Sequence, residues 1–209
     1  MGQYFEIHQV NPQSRLIGQA ASILRKGGVV VYPTDSCYAL GCMVGDKAAM
    51  DRIIRLRQLS DGHNMTLICR DLSEISSFAR VDNANFRLIK SLTPGAFTFL
   101  LKATKDVPRR LQHPKRKTIG IRIPDNNIVS ALLDSLGEPM LSTSLILPGG
   151  EFPMNEPEDI KERLINEVDL IIDGGPGGIS ATTVLDLTQD DPVVVREGLG
   201  EIENLINLA

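Results

Sequence analysis

Apolar positions fall in short bursts whose spacing switches between helical and strand periods along the whole chain. Leu16, Ile17, Ala20, Ile23 and Leu24 share one helical face that ends at Gly27-Gly28. Val29-Val30-Val31-Tyr32 follows as a buried strand, stopped by Pro33. Ala49, Met50, Ile53, Ile54 and Leu56 predict a second helix, and residues 65–69 a strand. Asp82 reads as the N-cap of a helix with Phe86, Ile89 and Leu92 on one side. Residues 97–101 and 118–123 are strands. The second alternates, with Ile119, Ile121 and Ile123 on one face, so Thr118, Gly120 and Arg122 share the other. Residues 128–136 form a helix closed by Gly137, and 140–147 are strand-like. Asn155 with Pro157 opens another helix, and runs at 168–172, 183–187 and 193–195 complete the strands. There is no internal repeat and no low-complexity linker. The expectation is one α/β domain over residues 1–209, built on a mixed sheet flanked by helices.

Composition narrows the class. A chain of 209 residues makes one compact unit that buries roughly 70% of its unfolded surface. Hydrophobic content of 42% and charged content of 23% exclude a disordered protein. No run approaches the ~18 apolar residues of a membrane span. The start, MGQYFEIHQVNP, has neither the basic nor the apolar region of a signal peptide, and lacks a myristoylation hydroxyl at its sixth residue. A cytoplasmic protein without membrane attachment is expected. Cys37, Cys42 and Cys69 are odd in number and lie in hydrophobic strings, so they read as small buried apolar residues and no metal site is expected.

The net charge of −4 is unevenly spread. Lys102, Lys105, Arg109, Arg110, Lys115, Arg116, Lys117 and Arg122 face the single acid Asp106, while acids gather toward the C-terminus. A basic segment on an acidic chain reads as a local anion site.

Four polar patches at strand ends are the candidates for chemistry. Pro33-Thr34-Asp35-Ser36 exposes a hydroxyl and a carboxylate at a strand end, and is equally the pattern of a capped turn. Arg55 and Arg57 close the second helix before a polar loop with His63 and Asn64. They suit either the helix dipole or a phosphate. The basic run leads into Thr118 and Arg122, whose shared strand face can hold anions. Ser142-Thr143-Ser144 places three hydroxyls at the end of an apolar strand. The glycine-rich stretch 174–178 is neither a P-loop nor a dinucleotide fingerprint and reads as a mobile loop.

Taken in order, the strings GGVVVYPTDSCYALGC, TPGAFTFLLKA, TIGIRIP, PMLSTS, TTVLDL and VVREG resemble the YrdC/YciO-type family. The resemblance spans Gly27 to Gly198 and is nearest to the YciO branch in RLRQLSDGHN and EPMLSTSLILPGGEF. It implies a twisted mixed sheet around a deep basic cavity, and synthases that convert L-threonine, bicarbonate and ATP to threonylcarbamoyl-AMP and pyrophosphate for tRNA modification. By position, Thr34, Arg122, Ser142 and Thr182 match the threonine-holding residues. Arg57, Thr118, Ser144 and Arg196 match the nucleotide-holding ones, with Arg57 and Ser144 in the catalytic role. Mg²⁺ is expected with ATP, bridging its phosphates.

The chain also departs from the synthase pattern. Lys-x-Arg-Pro becomes Arg57-Gln-Leu59-Ser60, and Ser-x-Asn becomes Ser144-Leu-Ile146. One cation and one amide are thereby lost, which implies a weakened synthase. The alternative expectation is a protein of the same fold that binds tRNA or double-stranded RNA through Arg109, Arg110, Lys115, Arg116 and Lys117, without synthase activity. Aromatic residues make up 4% of the chain and none lies in that run, so such contacts would go to phosphates and not to bases.

Overall fold

A computed structural model describes residues 1–59, 65–105 and 107–202. Ser60, His63 and Asn64 of the second patch lie outside the described residues, as do Asp106 and the side chain of Arg110.

Short polar side chains set where most helices begin. Asp46 accepts from the Ala49 amide at 2.9 Å and opens α2 (Lys47–Arg57), after α1 (Ser14–Arg25). Asp71 caps α3 (Leu72–Phe78), Asp82 caps α4 (Asn83–Leu92), and Asn126 caps α5 (Asn127–Leu136). Gly137, at φ 71°, closes α5 in the left-handed region that favours glycine. In α6 (Pro157–Leu164) the cap position is Glu156, and Pro157 takes the first turn, where its missing N–H costs nothing. Asp82 caps as expected, but Phe86 is turned out of the core. Ile89 and Leu92 are buried while Phe86 is 42% exposed.

The strands are β1 (Gln3–Glu6), β2 (Val30–Tyr32), β3 (Ala39–Met43), β4 (Thr66–Ile68), β5 (Ala79–Arg80), β6 (Phe97–Ala103), β7 (Thr118–Arg122), β8 (Met140–Ser144), β9 (Leu170–Asp173), β10 (Thr183–Asp186) and β11 (Val193–Arg196). They form one mixed sheet in the order β1-β9-β2-β3-β8-β4-β7-β6-β10-β11, with β5 paired to β6. Neighbours β1–β9, β9–β2, β4–β7 and β6–β10 run parallel, and the other pairs antiparallel. This is the mixed α/β fold the sequence implies. No described helix is long and apolar enough to cross a membrane.

The sheet has a core on each face. On one, α1 and α5 bury Ile17, Ala20, Leu24, Ile128, Leu132 and Leu133 against Val30, Tyr32, Ala39, Ile68 and Met140. On the other, residues of α2, α3, α4 and α6 pack on Val31, Leu40, Leu67, Phe99, Ile121 and Leu141. Ile119, Ile121 and Ile123 all face this second core, as their alternation predicts. All three cysteines are buried, and burial pushes the thiol of Cys42 up to about 12.

Candidate functional site

The α1–α5 layer covers only part of its face of the sheet. Beyond it, the strands present small and polar residues in register: Gly41 opposite Ser142, Ser142 opposite Thr66, Thr66 opposite Gly120. Side chains this small leave room above the strands instead of filling it. The space is a cavity of about 230 Å³, with Ser142, Ser144, Thr66, Thr98, Ile68 and Leu100 on its floor. Arg57, Arg122 and Arg196 line it, and no Asp or Glu is among its described lining residues.

Each arginine comes from a different element. Arg57 ends α2, a helix whose buried residues belong to the core of the opposite face. Its Nε donates to the Ile146 carbonyl at 2.8 Å and its Nη1 to Thr143 Oγ1 at 2.6 Å. Arg196, on the edge strand β11, donates to the Thr182 carbonyl through Nε at 3.1 Å and Nη2 at 2.9 Å. Thr182 Oγ1 in turn shares a 2.8 Å hydrogen bond with Thr98. Burial lowers the pKa of both guanidiniums, yet a guanidinium remains charged at any working pH. These two cations are held by neutral groups, so their charge is not cancelled within the cavity wall.

Arg122 is the most enclosed of the three, at 6% exposure. It stands on β7 with its Nη2 paired to Asp35 and its Nη1 3.5 Å from Thr34 Oγ1. Thr34 Oγ1 donates to the Cys37 carbonyl at 2.7 Å and accepts from the amides of Ser36 and Cys37. The Pro33-Thr34-Asp35-Ser36 patch is therefore a capped turn and at the same time the support of Arg122. Arg122 Nε is buried with no hydrogen-bond partner among the described residues. A buried charged donor left unpaired costs about 1–3 kcal/mol or more.

The structure thus gathers Arg57, Arg122, Ser142, Ser144, Thr182 and Arg196 around one cavity, with Thr34 immediately behind Arg122. It does not bring Thr118 there. Thr118 shares the strand face of Arg122 but lies four residues along β7, roughly 13 Å away, and is absent from the lining. Arg109, Lys115, Arg116 and Lys117 are exposed on the β6–β7 connection at that same far end, apart from the cavity. Arg110 belongs to the same short turn, Arg109–Leu111.

Sequence reasoning missed Thr66, Thr98 and Cys37 as lining residues. The alternation of Phe97, Phe99 and Leu101, all in the opposite core, already places Thr98 on the cavity face. Of the two departures from the synthase pattern, Ile146 lines the cavity. Leu59 does not; it is half-buried with its amide bonded to the Ile54 carbonyl.

The stretch 174–178 is packed down and does not read as a mobile loop. The Tyr38 hydroxyl donates to the Gly175 carbonyl at 2.8 Å and accepts from the Gly174 amide at 3.1 Å. Ile179 bridges Cys37, and a Cβ on Gly178 would lie 2.2 Å from the Ser36 carbonyl. The glycines let this segment lie against the Thr34–Tyr38 turn and brace it.

A mixed sheet with a cavity lined by arginines and hydroxyls defines the class as a mixed α/β protein with a basic cavity, and comparison with known proteins specifies it further. The Sua5/YciO/YrdC family model, described as "Telomere recombination", matches residues 22–198, and the chain belongs to this family. It is 64% identical to the YciO protein of Escherichia coli (strain K12) over 97% of this chain and 98% of that one. The crystal structure of E. coli YciO superposes with a TM-score of 0.94, covering 98% of this chain and 99% of that one. A threonylcarbamoyl-AMP synthase of Stenotrophomonas maltophilia is 32% identical over 80% of this chain and 90% of that one. P. abyssi Sua5, solved in complex with L-threonine, shares the fold at a TM-score of 0.90 and 24% identity, over 98% of this chain and 60% of that one.

Proposed function

We propose that the cavity binds L-threonine and ATP, and that the chain is a slow threonylcarbamoyl-AMP synthase. The observation that carries this reading is one cavity lined by Arg57, Arg122 and Arg196 together with the hydroxyls of Ser142, Thr182 and Thr98, with no Asp or Glu among its described lining residues. A carboxylate is the group that pairs with such guanidiniums, and hydroxyls around it suit a small polar amino acid. At about 230 Å³ the enclosed space lies below the ~300–1,000 Å³ usual for ligand pockets. It fits an amino acid, while the nucleotide would extend across the rim where Arg57, Ser144 and Arg196 stand. The synthase named above and the threonine complex of Sua5 support the same substrates.

The reaction asks little beyond placement. Threonine condenses with bicarbonate to a carbamate with loss of water, and a carbamate oxygen attacks the α-phosphorus of ATP. Pyrophosphate leaves, and threonylcarbamoyl-AMP, the precursor for tRNA modification, remains. Arg57 and Arg196 are preorganised to meet the charge that builds on phosphate oxygens. With no carboxylate in the described lining, Mg²⁺ would arrive bound to the ATP phosphates as part of the substrate. Leu59 and Ile146 stand where the synthase pattern has a cation and an amide. Each loss costs ~2–4 kcal/mol, or about 10²–10³ in rate, hence the slow turnover.

The test is pyrophosphate release from ATP with threonine and bicarbonate, each omitted in turn, beside an authentic synthase. Release that requires all three and is lost in Arg122→Ala, with the fold retained by thermal melt, is expected. No release from folded protein, or unchanged release in Arg122→Ala, would remove this reading.

A second reading rests on a separate observation. Arg109, Lys115, Arg116 and Lys117 are exposed together on one connection outside the cavity, which suits the phosphates of tRNA or double-stranded RNA.

A further inference from the structure

A long side chain at the end of a helix does not place a charge by itself, because its rotamer freedom must first be lost. Arg57 closes α2, and what holds its guanidinium is the end of β8. Nε donates to the Ile146 carbonyl at 2.8 Å and Nη1 to Thr143 Oγ1 at 2.6 Å. A guanidinium can only donate, so Thr143 must accept. Two bonds from two different nitrogens fix the plane of the group. Nη2 has no partner among the described residues. Arg122 Nε is the one fully buried side-chain nitrogen left unpaired among them, so the uncommitted Nη2 of Arg57 stands in accessible space.

Thr143 alternates with Ser142 and Ser144, and so shares the strand face of Leu141, toward the core to which α2 belongs. It is the hydroxyl of the three that meets Arg57, and it is 8% exposed. The arrangement belongs to this chain. Arg57 stands where the synthase pattern has Lys, and an ammonium is a point charge with no plane to fix. Ile146 takes part through its carbonyl, so the loss of an amide side chain there leaves this anchor in place. Arg196 is held in the same manner, with Nε on the Thr182 carbonyl at 3.1 Å and Nη2 on Thr182 Oγ1 at 3.2 Å. In both cases a carbonyl and a threonine hydroxyl hold one side of the group and leave an Nη uncommitted.

We propose that Thr143 is a positioning residue for Arg57, turning Nη2 toward the polyphosphate of the nucleotide and taking no part in holding threonine. This rests on the nucleotide reading above and deepens it.

The test compares Thr143→Val, which keeps the volume and removes the acceptor, with the unaltered protein. The turnover number for pyrophosphate release should fall about tenfold, and the dissociation constant of ATP, by calorimetry, should rise severalfold. The KM for threonine should move by less than about twofold, a split that a general loosening of the fold would not give. Thr143→Ser restores the acceptor and should recover most of both losses. In an Arg57→Lys background, adding Thr143→Val should change either quantity by less than about twofold, because no guanidinium plane remains to be set. Thr143→Ala decides the matter if a thermal melt shows Thr143→Val unfolded, and ATP affinity decides it if the unaltered protein binds ATP without turnover. Unaltered ATP affinity and turnover in folded Thr143→Val, or an equal loss in the Arg57→Lys background, would overturn the inference alone. Absence of both ATP binding and pyrophosphate release in the unaltered protein would remove the nucleotide reading and the inference together.

Discussion

At the scale of single residues, burial decides what each polar group can do. Arg122 and Asp35 form a nearly enclosed ion pair, yet the guanidinium keeps one N–H uncommitted. The same enclosure shapes the tyrosines. The chain has three and no tryptophan, and burial raises all of them: Tyr38 to about 12, with Tyr4 and Tyr32 raised further. A raised folded pKa favours the protonated native state, so the stabilisation from Tyr38 is complete below its ordinary value of 10 and is lost as pH climbs through about 12. Titration followed by phenolate absorbance should therefore show no step centred at pH 10 in the native protein, and Tyr38→Phe should remove the earliest step. A normal step at pH 10 would show that a phenol is solvated. The face of Arg122 was legible from the Ile119, Ile121, Ile123 alternation. Its partner Asp35 and its orphaned Nε were not, because both depend on a strand and a turn 87 residues apart in sequence.

At the scale of elements, what could be read was what carries a local signal. The caps at Asp82 and Gly137 and the alternation of β7 were visible because neighbours in sequence create them. β3 was not, since all five of its residues are buried and no alternation marks it. Its Gly41 and Cys42 look like punctuation until β2 and β8 are known to flank them. The glycines make the same point in opposite directions. Gly18 sits exposed in α1, and a Cβ added there would meet nothing within 4 Å, so Gly18→Ala should stabilise by about 0.5–1 kcal/mol through helix propensity. Gly178 lies against the Ser36 carbonyl, and Gly178→Ala should destabilise by about 1–3 kcal/mol and weaken ligand binding by shifting the Thr34–Tyr38 turn. Urea melts of the two variants check both signs. Equal effects would mean that the 174–178 segment does not brace that turn.

At the scale of the whole molecule, charge that is continuous in sequence divides into two places. Arg122 closes the basic run that begins at Lys102, but β7 carries it from the exposed connection to the cavity, and Thr118 stays behind at the other end. The three cavity arginines, Arg57, Arg122 and Arg196, stand around one small space. The exposed ones act on an acidic molecule of net charge −4, where only a polyanion held by several contacts would gain from them. The two readings of function are therefore separable in one protein. Neutralising Arg116 and Lys117 should weaken tRNA or duplex RNA binding and lower the slope of log affinity against log salt by about two if each meets one phosphate. Threonine-dependent pyrophosphate release should stay unchanged, because neither residue lines the cavity. A salt slope unaltered by the double change would remove RNA from this surface. A loss of pyrophosphate release would instead mean that the connection reaches the bound nucleotide, and that the two groups of charge serve a single site.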